Sequence, residues 1–231
     1  MDSQKKYPQH ISFEFFPPKT EEGEKKLLQT ATQLTKLNPH YFSVTFGAGG
    51  STRDRTFDTV LSLAKATGIP LAPHLSCIGS SKAQLLELLN QYRENQIDRL
   101  VALRGDRPSG DVAKGELNFA YELVQFVREQ TADHFHIEVA AYPEFHPEAV
   151  NPQADIDNLK RKFDAGANSA ITQYFYNAEA YYRLIDACEA NQIEMPIVPG
   201  IMPIMNFTQL SRFSAACGAE IPMWLSKRLA A

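Results

Sequence analysis

Seven times along this chain a short apolar, β-rich run is followed by a polar stretch with helical spacing, and this alternation constrains the fold more than any other feature. The runs are residues 10–16, 41–46, 70–76, 99–104, 136–142, 169–175 and 196–201. Between them apolar residues recur three and four apart. Leu27, Leu28, Ala31, Leu34 and Leu37 mark one buried face, Phe57, Val60, Leu61 and Ala64 a second, and Leu85, Leu86 and Leu89 a third. Helices are also expected over 117–127, 154–165, 178–190 and 207–216. Several strand runs are nearly continuous in apolar residues, as parallel strands covered on both faces require. A sandwich and a helical bundle are excluded, leaving a doubly wound sheet or a βα barrel. A doubly wound sheet usually carries a glycine-rich turn after its first strand. Here that position reads Phe16-Pro17-Pro18-Lys19, and prolines offer no N–H to a pyrophosphate. The expected fold is therefore α/β, a (βα)8 barrel of the TIM type.

A barrel of this kind closes with eight strands. After the seventh helix Ile221-Pro222-Met223-Trp224-Leu225 starts another element, and the sequence given ends at Ala231. The expectation is seven βα units with the eighth strand missing, in a single domain over residues 1–231. No linker, low-complexity tract or charge block divides it.

Composition narrows the partners. The net charge of −4 gives no reason to expect nucleic acid or an acidic membrane as partner. The 44% apolar and 22% charged residues are those of an ordinary globular protein. Cys77, Cys188 and Cys217 are odd in number and lack a C-x-x-C spacing, which fits a reducing compartment. Residues 1–8 hold no apolar signal region, and no run approaches a membrane span. A cytoplasmic location is expected.

The active site of a βα barrel lies at the C-terminal ends of its strands. Those ends collect Glu14, Thr45, His74, Arg104, Asp106, Tyr142, His146, Gln173 and Gly200. Glu14, in Phe13-Glu14-Phe15-Phe16, should face the barrel mouth, where desolvation raises a carboxyl pKa and makes a general acid. A glutamate paired with a buried arginine is the structural alternative. Arg104-Gly105-Asp106 could grip a phosphate and is equally an ordinary turn. Gly47-Ala48-Gly49-Gly50 offers either a bare backbone for a cofactor or a flexible loop. Asp155, Asn158, Arg161 and Lys162 share neighbouring helical turns, as a solvated face or as a site for ribose and pyrophosphate. The six histidines show no metal spacing, so no metal is expected.

Eight stretches, taken in order, resemble the methylenetetrahydrofolate reductase family along almost all of the chain. They are Ser12-Phe13-Glu14-Phe15-Phe16-Pro17-Pro18-Lys19, Ser43-Val44-Thr45-Phe46-Gly47-Ala48, Ala72-Pro73-His74-Leu75-Ser76-Cys77 and Ala102-Leu103-Arg104-Gly105-Asp106. The series continues with Ala141-Tyr142-Pro143-Glu144-Phe145-His146-Pro147-Glu148-Ala149, residues 155–165, Ala170-Ile171-Thr172-Gln173-Tyr174-Phe175 and Pro199-Gly200-Ile201-Met202-Pro203. The resemblance implies a FAD-containing barrel, often a homo-oligomer, that reduces 5,10-methylenetetrahydrofolate to 5-methyltetrahydrofolate with NADH or NADPH. It implies Glu14 as the general acid and Asp106 as a carboxylate beside flavin and pterin. It further implies Gln173, Phe207, Asp106 and Thr45 as substrate contacts. The implied FAD contacts are Thr45, Phe46, Ala48, His74, Arg104, Gly105, Asp106, Ala120, Tyr142, His146, Ala149, Asp155, Asn158, Arg161 and Lys162. The departure is at the C-terminus, where family members continue into the eighth strand and a substrate-contacting basic residue. The alternative function is a catalytically inactive fragment that at most binds FAD. A different flavin barrel, such as a proline dehydrogenase, would lack the folate-specific use of Gln173.

Overall fold

The computed structural model describes residues 2–46, 50–105 and 115–230, the side chains of 50–53 excepted. Contacts gather the chain into two compact units, Pro8–Glu138 and a second made of Met1–Tyr7 with Val139–Ala231.

The first unit carries β1 (Ser12–Phe15), β2 (Tyr41–Val44), β3 (Leu71–Ser76) and β4 (Arg99–Leu103), each followed by helical structure. The strands pair in parallel and in sequence order, with Ser12 opposite Tyr41, Phe42 opposite Leu71 and His74 opposite Val101. Their helices begin where the chain supplies caps. Thr20 accepts from Gly23 N at 3.1 Å ahead of α2 (Glu21–Leu34), whose first turn is acidic and so complements the helix dipole. After α3 (Gly50–Thr67), Ser81 and Gln84 form a reciprocal capping box at the start of α4 (Lys82–Glu94). Glu122 caps α5 (Ala120–Thr131) by accepting from Asn118 N and Phe119 N. The apolar stripes bury Phe42, Leu75, Leu89, Tyr92, Leu100 and Leu123 completely.

Strand β5 (His136–Ala141) has residues in both units, and His136 N donates to Asp98 O at 2.7 Å. The second unit continues with α6 (Pro152–Asp164), β6 (Ser169–Thr172), α7 (Ala178–Ala190), β7 (Ile197–Val198), α8 (Phe207–Cys217) and α9 (Met223–Ala230). Ala170 of β6 lies opposite Ile197 of β7, again in parallel. Asn151 caps α6 ahead of a proline at its first position, where the missing N–H costs nothing. Gly218 ends α8 in the left-handed region, at φ 76°.

The strand order is β1 to β7 in sequence, a TIM-barrel-like α/β topology with seven strands and no eighth among the described residues. Where the run 221–225 suggested another element, the chain makes the helix α9. Pro222 opens it, its carbonyl accepting from Leu225 N and Ser226 N. The sequence pattern also passed over a short helix, α1 (Asp2–Lys5). It is held by tertiary contacts, since Gln4 accepts from Ile197 N at 2.8 Å and donates to Met195 O at 3.3 Å. No described helix is long and apolar enough to cross a membrane.

Candidate active site

In the first unit, Glu14 sits on β1 and His74 on β3, two strands that both flank β2. Parallel register brings their side chains to one end of the sheet, with His74 Nε2 3.2 Å from Glu14 Oε2. The imidazole is nearly buried at 9% exposure, whereas the carboxylate keeps 47%. Glu14 thus departs from expectation in two ways. It is half open to solvent, and its pKa lies below the ordinary carboxylate value. Desolvation pushes that pKa up, but the hydrogen bond to His74 and the charge of the ring together pull it further down. The structure therefore replaces the lone raised acid, and the arginine-paired alternative, with a Glu–His pair.

Beside this pair, at the end of β4, three donors converge on the Arg104 carbonyl. They are Ser76 Oγ at 2.9 Å, Ile78 N at 2.9 Å and Cys77 Sγ at 3.5 Å. The Arg104 Nε closes on Gly105 O at 3.1 Å. Gly105 stands at φ +88°, and a Cβ there would lie 2.0 Å from Ser76 Oγ. Glycine is demanded here by the turn, one of the two readings of the sequence, and by Ser76, which the sequence did not show. Thr45 N donates to Phe15 O at 2.9 Å, and Thr45 O accepts from Thr56, so this residue bridges β1 to α3 through its backbone. Phe46 follows it, half-buried, and Ala120 is the first residue of α5. Asp106 and Ala48 lie outside the described residues.

In the second unit the turn after β5 folds onto α6. His146 N donates to Asp155 Oδ2 at 3.0 Å, and the Tyr142 and His146 rings meet edge to face at 4.6 Å. His146 Nδ1 accepts from Glu148 N at 3.0 Å, which leaves the ring proton for Nε2. Ala149 N closes the turn on His146 O at 2.8 Å. Along α6, Arg161 donates to Asn158 Oδ1 at 3.0 Å and Lys162 to Ala140 O at 2.7 Å. Asp155 and Lys162 are therefore tied to the chain outside α6, whereas Arg161 and Asn158 pair along the helix surface. Gln173 N binds Ala141 O at 2.8 Å, and its side-chain oxygen accepts from Tyr174 N at 3.0 Å. Phe207 opens α8 behind the Asn206 cap and packs on the cluster of Tyr174, Leu210 and Ala219.

Glu144 was not singled out from the sequence. Its Oε2 accepts from Glu220 N at 2.8 Å, while its Oε1 is buried without a partner among the described residues. Burial raises its pKa, opposed by the bond from Glu220. It was visible only as one polar residue in a motif read for its neighbours; the partner lies 76 residues on. Among the described residues no three His, Cys, Asp or Glu gather as metal ligands.

A barrel-like α/β chain with an acid–imidazole pair at one strand end and cations and aromatics at others belongs with the small-molecule enzymes of that architecture. A family model for methylenetetrahydrofolate reductase matches residues 1–231. The 5,10-methylenetetrahydrofolate reductase of Buchnera aphidicola subsp. Schizaphis graminum is 49% identical over 93% of this chain and 72% of its own length. That of Escherichia coli is 45% identical over 94% and 72%. The chain belongs to the methylenetetrahydrofolate reductase family. Among solved structures, an uncharacterized protein from Clostridium thermocellum that binds two copies of 5-methyl-5,6,7,8-tetrahydrofolic acid superposes with a TM-score of 0.67. It covers 99% of this chain and 78% of that one at 18% identity, which shows the shared fold.

Proposed function

We propose that this chain reduces 5,10-methylenetetrahydrofolate to 5-methyltetrahydrofolate, taking a hydride from NADH or NADPH and a proton from the protein. The observation that carries this reading is the Glu14–His74 pair at the shared end of β1 and β3. The residues present fit FAD in kind. In the first unit Arg104 offers a cation for a phosphate; in the second Arg161 and Lys162 offer cations, Asn158 and Asp155 polar groups for a ribose, and the crossed rings of Tyr142 and His146 an aromatic face. FAD, when bound, would supply the two-electron relay between nicotinamide and folate. Gln173 would hydrogen-bond the pterin through its amide, and Phe207 would stack on it. Asp106 is the carboxylate proposed beside the pterin, and the working location is the cytoplasm.

Glu14 is ionised in the resting protein and must take up a proton before acting as an acid. Substrate covering the open half of its carboxyl adds to the desolvation that already pushes its pKa upward. The proton then passes to the folate's five-membered ring, which opens to an iminium that accepts the hydride.

Two measurements test this. Purified protein mixed with FAD should hold it through gel filtration, read by flavin absorbance, and in the absence of oxygen should turn NADH over catalytically only when methylenetetrahydrofolate is present. Glu14→Gln should lower folate reduction by about 10²- to 10⁴-fold while leaving flavin reduction by NADH within two-fold, roughly. Equal loss in both half-reactions would make Glu14 a structural residue.

A further inference from the structure

We propose that Tyr174 is a positioning residue for folate binding, its hydroxyl fixing helix α8, and with it the Phe207 ring, beside the strand end that presents Gln173. The inference rests on the reading that Phe207 and Gln173 contact folate. Tyr174 follows Gln173 directly, just beyond β6, and is 5% exposed. Its hydroxyl lies 2.9 Å from Ser214 Oγ and accepts from Cys217 Sγ at 3.4 Å. Both partners belong to α8, in successive turns at its C-terminal half. With the thiol donating to the phenol, the phenol donates to the serine, so one buried chain of bonds ties the helix down. The Phe213 ring stacks on Tyr174 with centroids 5.9 Å apart and planes at 12°, and Phe207 packs against the same ring cluster from the first turn.

Among the described residues, the hydroxyl makes the hydrogen bonds that join Tyr174 to the helix. Apolar packing alone would let α8 slide or rotate on the cluster, whereas a hydrogen bond near 2.9 Å fixes its register. Burial and the neighbouring thiol raise the Tyr174 pKa, so the phenol keeps its proton and remains able to donate across the working pH range.

Tyr174→Phe removes the hydroxyl and keeps the ring, and Ser214→Ala removes the partner from the other side. In either variant the Kd for 5-methyltetrahydrofolate, measured by calorimetry on FAD-loaded protein, should rise roughly five- to ten-fold, with KM for methylenetetrahydrofolate following and kcat little changed. Amide exchange across α8 should accelerate while β6 stays protected. The double variant should be no worse than Tyr174→Phe, because removing the hydroxyl already removes the bond that Ser214→Ala deletes. A fall in melting temperature with Kd and α8 exchange unchanged, or additive effects in the double variant, would overturn the proposal and leave Tyr174 an ordinary core residue. Phe207→Ala separates the two levels of the argument. If it weakens folate binding while Tyr174→Phe does not, positioning alone fails. If Phe207→Ala leaves folate binding intact, the assigned contact fails and takes this inference with it.

Discussion

At the scale of single residues, the Glu14 carboxylate is set by two opposed effects, and removing one exposes the other. Desolvation raises its pKa while His74 lowers it further, so the net is a carboxylate held below its ordinary value. His74→Ala deletes the partner that lowers the pKa and leaves the desolvation, and the Glu14 pKa should then rise above the ordinary glutamate value. Side-chain carboxyl NMR titration of the substrate-free variant would show it; an unmoved pKa would mean that the pair is not the cause. In stability terms the lowered pKa helps the folded state above pH about 4.5 and the help is lost as pH falls through the folded value. Strand alternation in 10–16 and the family motif pointed to Glu14. Neither showed that half the carboxyl stays open, because alternation assigns a face and says nothing of what covers it. His74 too was legible as a strand-end residue, but its pairing with Glu14 spans 60 positions and depends on parallel register.

At the scale of elements, the alternation predicted every strand among the described residues, with the ends drawn too far. The run 196–201 yields only the two-residue β7, and 169–175 stops at Thr172. Just beyond β7, Gly200 lies against Thr172, the last residue of β6. Gly200 N donates to Thr172 Oγ1 at 2.9 Å, and a Cβ on Gly200 would sit 2.2 Å from the Thr172 carbonyl oxygen. Backbone cannot yield as a side-chain tip does, so Gly200→Ala must part the strand ends. Overpacking of this kind costs about 1–3 kcal/mol, to be read as a lower urea midpoint, with faster amide exchange at Gln173 and Val198. Exchange unchanged at these sites would show that the strand ends absorb a methyl. The run 221–225 was read only as the start of another element, and that element is the helix α9; Pro222 lacks an N–H for a central strand and suits a helix start. The α1 helix carried no such signal. Four residues cannot sustain a helix alone, and its anchor on β7 lies more than 190 positions away, where no local pattern reaches.

For the molecule as a whole, the response to acid should be set by the end of the first unit remote from Glu14, where Arg99, Glu138, His136, His40 and Tyr41 meet. Arg99 lies 3.7 Å from Glu138, 3.4 Å from His40 Nε2 and over the Tyr41 ring at 4.7 Å, and His10 stacks on His40 at 4.2 Å. Desolvation, then the charges of Arg99, His40 and Arg128, push the His136 pKa down to about 4 from 6.5, against a smaller upward pull from Asp98. His40 shifts the same way. Between those two values the unfolded chain binds more protons than the folded one, so stability is full above pH 6.5 and is lost as pH falls toward 4. A unit of pKa is about 1.4 kcal/mol, and solvent screens the exposed edge of the ring, so His136 accounts for about 1–3 kcal/mol. Glu14, whose pKa is lowered, acts only below about 4.5, and Glu144, whose pKa is raised, has the opposite sign above it. The window from pH 6.5 to 5 therefore belongs mainly to the histidines. Urea midpoints should hold from pH 8 to 6.5 and then fall, and His136→Gln should flatten that fall whatever its midpoint at pH 8. An equal slope in the variant would place the acid response elsewhere. The sequence pI is near 5.9, so the net charge of −4 vanishes in the same window. Chains that unfold there lose the repulsion that keeps them apart, and light scattering should rise with the loss of stability in the wild type and less in His136→Gln.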